Sequence, residues 1–221
     1  GKMSDVAKGG RTVLFVSHQM GAVQALCTRG LLFRDGAAYL YDEVAEAVDN
    51  YAAPTSHRGG RDLTTVPRRS GAGQCRFERV DFLDNRGIPR DRVLGGASIT
   101  IRLWLSNRSG EPMQNTRIAI AICKAVGDDL SILSNEVTAT PLHFGERGCV
   151  DCVIDRLPLS EGDYPLVLFL EVAGVVQDRI DHEVVLPVVG GDFFGCGNSV
   201  PRTARGRKLV LIDQRWEPRT P

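Results

Sequence analysis

Hydrophobic and polar positions divide the chain into two regimes. In the first fifty residues the apolar runs are short and read as α/β. Thr12-Val-Leu-Phe-Val16 is a near-continuous apolar run, the pattern of a strand buried on both faces of a parallel sheet. Residues 20–28 place Met20, Val23, Leu26 and Cys27 on one side of a helix. Leu31-Leu-Phe33 is a short strand closed by the turn pair Asp35-Gly36. Asp42 is a good N-cap for a second helix over 43–51, with Val44, Ala47, Val48 and Tyr51 at helical spacing.

From Cys75 onward the period changes to two. In residues 97–106, Ile99, Ile101, Leu103 and Leu105 face one way and Thr100, Arg102, Trp104 and Ser106 the other. Residues 117–122 alternate again, and 149–154, 164–172, 175–186 and 208–212 are further strand candidates. Turns such as Asp84-Asn-Arg-Gly87 and Ser106-Asn-Arg-Ser-Gly110 separate them. Many short strands with regular turns and no amphipathic helix predict an antiparallel β-sandwich, so the chain is expected to be mainly β with a short α/β stub in front. Between the two regimes, residues 54–73 carry Gly59-Gly60, Pro67, Arg68-Arg69 and few apolar residues, which reads as a linker.

Composition narrows the function. The 221 residues hold 27 Lys and Arg against 27 Asp and Glu, a formal net charge of zero. Such a balance offers no electrostatic case for nucleic acid or an anionic membrane surface. The arginines within 58–69 and the basic run 202–208 are read as solvated before they are read as anion sites. No apolar run approaches the roughly 20 residues of a membrane span. The six cysteines are scattered, and no apolar leader follows Gly1-Lys-Met-Ser, so free thiols in a reducing cytosol are expected. Cys149-Val-Asp-Cys152 is a lone CxxC whose side chains would point to opposite faces of a strand, a weak metal signal.

The segment Gly10-Arg-Thr-Val-Leu-Phe-Val-Ser-His-Gln-Met20 resembles the switch-histidine region of ABC-transporter ATPase domains. The resemblance continues through Ala22-Val-Gln-Ala-Leu-Cys27 and Leu31-Leu-Phe-Arg-Asp-Gly36, over about the first fifty residues. It implies that His18 is the switch histidine that contacts the nucleotide γ-phosphate in a parent ATPase. The chain has no Gly-x-x-x-x-Gly-Lys-Ser/Thr, no Leu-Ser-Gly-Gly-Gln and no Asp-Glu pair ahead of His18, and ATP binding requires such a cradle. The expectation is a non-enzymatic chain without a cofactor of its own, with ATP and magnesium belonging to the full-length parent.

The β region resembles the C-terminal domain of Wzt-type ATPases. The resemblance rests on Val80-Asp-Phe-Leu-Asp-Asn-Arg-Gly87, Leu157-Pro-Leu-Ser-Glu-Gly-Asp-Tyr164, Asp178, Gly191-Asp-Phe-Phe-Gly-Cys-Gly197 and Val210-Leu-Ile-Asp-Gln-Arg-Trp216. It implies an immunoglobulin-like sandwich that recognises an exported O-antigen-like polysaccharide and forms a homodimer by exchange of a C-terminal strand. The partners would be the glycan, a second copy and the exporter's permease. The location would be cytoplasmic, peripheral at the inner face of the membrane. The expected boundaries are 1–53 for the ATPase fragment, 54–73 for the linker, 74–217 for the carbohydrate-binding sandwich and 218–221 for a tail.

Glycan sites on sandwiches combine an aromatic platform with arginine, carboxylate or amide groups. Trp104 and Arg102 share the outward face of one strand, and Arg117 is expected beside them on the next, with Ala119 and Ala121 leaving room for a ligand. These three are the candidate carbohydrate-binding residues. Trp104 could instead pack in a dimer interface, and a purely structural dimerisation domain that orients the ATPase subunits is the alternative reading. Tyr164 is expected to be buried and Trp216 to pack in an edge or exchanged strand. Phe193-Phe194 is either a recognition loop or a hinge. His143, Asp151 and Asp155 make no spacing for a triad or a metal site, and no metal site is expected.

Overall fold

The computed structural model describes residues 12–17, 20–34, 36–52, 60–124, 128–196 and 210–214. His18, Trp216 and the basic run 202–208 lie outside them. Two helices and a hairpin open the chain: α1 (Met20–Leu26), β1 (Gly30–Arg34), β2 (Ala37–Tyr41) and α2 (Val44–Ala52). The strands that follow are β3 (Arg61–Asp62), β4 (Arg69–Ser70), β5 (Cys75–Asp84), β6 (Val93–Leu94), β7 (Ile99–Asn107), β8 (Thr116–Cys123), β9 (Asp129–Ser134), β10 (Arg147–Ile154), β11 (Gly162–Val172) and β12 (Val175–Val189).

Two sheets face each other. One has the order β10-β7-β5-β3, all antiparallel. The other has the order β4-β12-β11-β8-β9, with β6 added in parallel at the end of β12. The alternation of β7 drives Ile99, Ile101, Leu103 and Leu105 inward to 2% exposure or less. From the opposite sheet Ile118, Ile120, Leu166, Leu168, Leu170, Ile180 and Leu186 meet them in one continuous core. The β11–β12 hairpin turns on Ala173 and Gly174, both at positive φ (50° and 80°), as a two-residue turn of the right twist requires. Tyr164 is buried, and its hydroxyl donates to the Ser160 carbonyl at 2.8 Å, a corner brace common to sandwiches.

Three expectations change. Residues 12–17 form no strand, and Leu14 and Val16 are largely exposed. An apolar run becomes a buried strand only where neighbouring strands pair with it, and the stub's hairpin pairs with itself. Asp42 does not cap α2 but holds Arg29 at 2.6 Å. Part of the supposed linker is structural. In it β3 pairs with β5, β4 pairs with β12, and Leu63 and Val66 enter the core.

Arg69, on β4, explains why. Its guanidinium donates from Nε to Asp178 Oδ1 at 3.0 Å and from Nη2 to Asp178 Oδ2, a bidentate pair almost wholly buried. The same fork reaches the carbonyls of Leu63 (2.6 Å) and Phe77 (2.8 Å), and Asp178 also accepts from the Phe77 N–H at 2.8 Å. One ion pair thus joins the segment ahead of the sandwich to both sheets.

The stub rests on the end of the sandwich. Met20, Val48 and Val189 form a small cluster with Val23, Tyr51 and Leu94 around it. The Gly21 N–H, which α1 cannot satisfy internally, donates to the Gly190 carbonyl at 3.1 Å. Arg90 links Asp84 at 2.6 Å to the Asp49 carbonyl of α2 at 2.7 Å, and Arg92 stacks on Tyr51. Burial opposes ionisation of Asp84. Hydrogen bonds from the Ile88 N–H, the Arg90 side chain and the Arg86 N–H outweigh it and hold the carboxyl below its ordinary range.

Candidate functional site

The outward face of the β10-β7-β5 sheet carries an aromatic and charged patch set by cross-strand register. Trp104 stands opposite Arg79 on β5 and Cys149 on β10, while Arg102 stands opposite Asp81 and Asp151. Trp104 is 40% exposed, so a large part of the indole faces solvent. Its Nε1–H donates to Asp81 Oδ2 at 2.8 Å, and Arg79 Nε donates to Oδ1 of the same carboxylate at 2.7 Å. Asp81 is itself 4% exposed. A buried carboxylate between two donors fixes the indole in one orientation with its remaining surface outward. Apolar ring surface on a rigid mount loses little entropy when a ligand covers it.

Beside it, Arg102 donates to Asp151 in a fork, Nε to Oδ1 and Nη2 to Oδ2, both at 2.7 Å. The Arg102 hydrogen bonds pull the Asp151 carboxyl below its ordinary range against the effect of burial, and the same bonds push the guanidinium upward. Burial raises the Cys149 thiol, so this exposed cysteine is a poor nucleophile at neutral pH. On β10 Cys149 faces outward beside Trp104, while Cys152 packs against the core, so the two thiols point apart. Among the described residues no three His, Cys, Asp or Glu side chains gather as a metal site.

Arg117 is not on this face. β7 pairs with β5 and β10, whereas β8, which carries Arg117, lies in the other sheet between β11 and β9. The expected trio is therefore split, with Trp104 and Arg102 together and Arg117 on the opposite sheet. Ala119 and Ala121 leave no open trough either, since both are buried beside β11. Arg117 sits instead at the rim of a cavity of about 630 Å³ between the 135–143 loop and the 173–174 turn.

Residues 66–198 match the Wzt C-terminal domain. The chain belongs to the Wzt C-terminal domain family. The solved "Crystal structure of the C-terminal domain of wzt" superposes with a TM-score of 0.57 at 12% identity, covering 73% of this chain and 92% of that one, so the fold is shared. An O-antigen export system ATP-binding protein, RfbB of Myxococcus xanthus, is 25% identical over 184 residues, which cover 76% of this chain and 42% of that protein. A teichoic acids export ATP-binding protein, TagH of Bacillus anthracis, is 34% identical over 50 residues, covering 23% of this chain and 9% of that protein. The chain spans less than half the length of these curated relatives.

Within this family member, several site residues escaped the sequence reading. Asp81 lies in the motif Val80-Asp-Phe-Leu, which by itself assigns it no role. Its signal was the alternation of β5, in which Val80 and Phe82 turn inward and Asp81 outward. The spacing of Asp151 speaks only to a triad or a metal site. Its partnership with Arg102 depends on the pairing of β10 with β7, which separation along the chain conceals. Glu136 and Glu171, which flank Arg117, went unremarked for the same reason. Phe193 is 4% exposed and packed under Arg156 at 4.2 Å, so its ring serves packing.

Proposed function

We propose that this chain is the glycan-recognition part of an ABC exporter of cell-surface polysaccharide. The observation that carries the reading is Trp104, an exposed indole locked by the buried Asp81 and flanked by the Arg102–Asp151 fork. The indole would cover the apolar face of a sugar ring, while Asp151 and the arginines hold ring hydroxyls. Membership of the Wzt C-terminal domain family and the export roles in the names of RfbB and TagH support it.

On this reading binding is reversible and non-covalent. The chain works beside the exporter's permease at the cytoplasmic face of the membrane, as a homodimer. Among the described residues no helix is long and apolar enough to cross a membrane. ATP and magnesium belong to the parent ATPase. The residues present do not fit them, because no glycine-rich lysine loop exists in the sequence, and His18 would be the single nucleotide-facing contribution.

The test is calorimetric titration of the chain with full-length polysaccharide from its own source cell. Binding is expected, and Trp104→Ala or Asp81→Ala should weaken it at least about tenfold, the loss typical of an aromatic anchor. Absence of binding to the intact polysaccharide would sink the proposal. Absence of binding together with loss of dimers in Trp104→Ala would favour the dimerisation role.

A further inference from the structure

We infer that the cavity around Arg117 is a second sugar subsite, one that takes an uncharged, hydroxyl-rich pyranose unit. This rests on the glycan reading above but concerns the opposite sheet. The cavity, about 630 Å³, lies within the size range of small-molecule sites, roughly 300–1,000 Å³. Arg117 on β8 and Glu171 on β11 are cross-strand partners at its wall, and Glu136 closes on Arg117 from the loop.

Arg117 is held differently from Arg69 and Arg102. Arg102 and Arg69 each give two aligned donors to one carboxylate. Arg117 Nε lies 2.7 Å from Glu136 Oε2, yet the approach is off the N–H axis and the buried Nε makes no aligned hydrogen bond. Its Nη1 is 3.7 Å from Glu171, beyond hydrogen-bond reach. The guanidinium is steered by two carboxylates and rests over the Phe169 ring at 5.4 Å. The buried Nε is closed to a ligand, but the terminal Nη groups retain donor capacity and the carboxylates retain lone pairs. Adjacent hydroxyls of a sugar ring, each both donor and acceptor, match that combination.

The walls are preformed. Asn135 accepts from the Ile118 N–H at 2.7 Å and donates to the Thr116 and Thr140 carbonyls at 3.0 and 2.9 Å, which pins the loop to β8. Three of the four described non-glycine residues with positive φ, Asn115, Ala139 and Ala173, border this one cavity. Ala173 takes its φ from the β11–β12 turn; at Ala139 a left-handed backbone is costly for alanine, and such conformations gather where a surface shape is used.

Charge selects the sugar class. Arg117, Glu136 and Glu171 sum to one negative charge, so a uronic acid or a phosphorylated sugar would meet net repulsion, whereas a neutral ring would not.

The experiment uses the ¹⁵N-labelled chain with methyl glycosides of mannose, glucose, galactose, rhamnose and N-acetylglucosamine, and with glucuronic acid. At least one neutral glycoside should shift the amides of Ala139, Thr140, Ala173 and Gly174, saturating in the millimolar range. Glucuronic acid should bind clearly more weakly. Glu171→Gln and Arg117→Lys should each weaken the effect about tenfold, as loss of a hydrogen bond to a charged group implies. Trp104→Ala should leave it intact. Silence of these amides with every neutral glycoside, or preference for glucuronic acid, overturns the inference. If the polysaccharide binds while these amides stay silent, only the Arg117 subsite fails. If the polysaccharide does not bind at all, the reading beneath it fails.

Discussion

Removal of Asp178 tests whether the chain's entry into the sandwich is held by one buried charge pair. In Asp178→Ala, both aligned Arg69 donors lose their carboxylate acceptor and the Phe77 N–H loses its acceptor, in a place where the two side chains are 10% and 2% exposed. Breaking a buried pair from one side leaves an uncompensated charge and costs about 3–5 kcal/mol. That is a large share of the roughly 5–15 kcal/mol that holds a domain folded. With a urea slope of about 2 kcal/mol/M, the unfolding midpoint should fall by about 2 M. Arg69→Met should cost a similar amount, for the mirror-image reason. The double variant Arg69→Met with Asp178→Leu removes both charges and should be less damaged than the two single losses added together. Its remaining deficit would be the orphaned Leu63 and Phe77 carbonyls and the Phe77 N–H. Urea denaturation followed by circular dichroism measures all three. A midpoint shift under about 0.5 M for Asp178→Ala, or strict additivity of the two single changes, would refute the reasoning.

The other predictions concern the seam and the patch. Gly21→Ala should loosen the stub, because an added Cβ would lie 2.8 Å from Asp192 N and Gly191 C, so α1 must move away from the sandwich. Alanine is otherwise the better helix former by about 1 kcal/mol, so the sign is diagnostic. Faster amide exchange in residues 20–34 with β7 unchanged is expected, and slower exchange would refute the close packing. For Asp151, a folded carboxyl held below its ordinary 3.8 stabilises the fold above that pH and loses this contribution as pH falls through the lowered value. Asp151→Asn should therefore lower thermal stability at neutral pH, by under about 1 kcal/mol since both partners are about one-third exposed, and the deficit should shrink below about pH 4. A deficit that grows with acid would contradict the Arg102 assignment.

Some of this was legible without the fold. The period-two pattern of β7 fixed which side chains enter the core and left Trp104 and Arg102 outside, because successive side chains of a strand must point to opposite faces. Turn residues such as Asp84 with Gly87 marked the strand ends through local chemistry: Asp84 accepts from the Arg86 and Ile88 N–H groups, and Gly87 supplies the positive φ. Motif order along the chain carried the family.

Long-range register was not legible, and it decided the sites. Nothing in the chain order distinguishes β8 as a neighbour of β7 from β8 as a strand of the opposite sheet, and that choice moved Arg117 away from Trp104. The same holds for Asp81 and Asp151, which reach Trp104 and Arg102 from strands 23 and 49 residues away along the chain. The run at residues 12–16 shows the converse, an apolar pattern that is a strand only if partners are present to accept it. Alternation is a property of a single strand. Which groups share a face depends on pairing, and pairing is set by how the whole core closes.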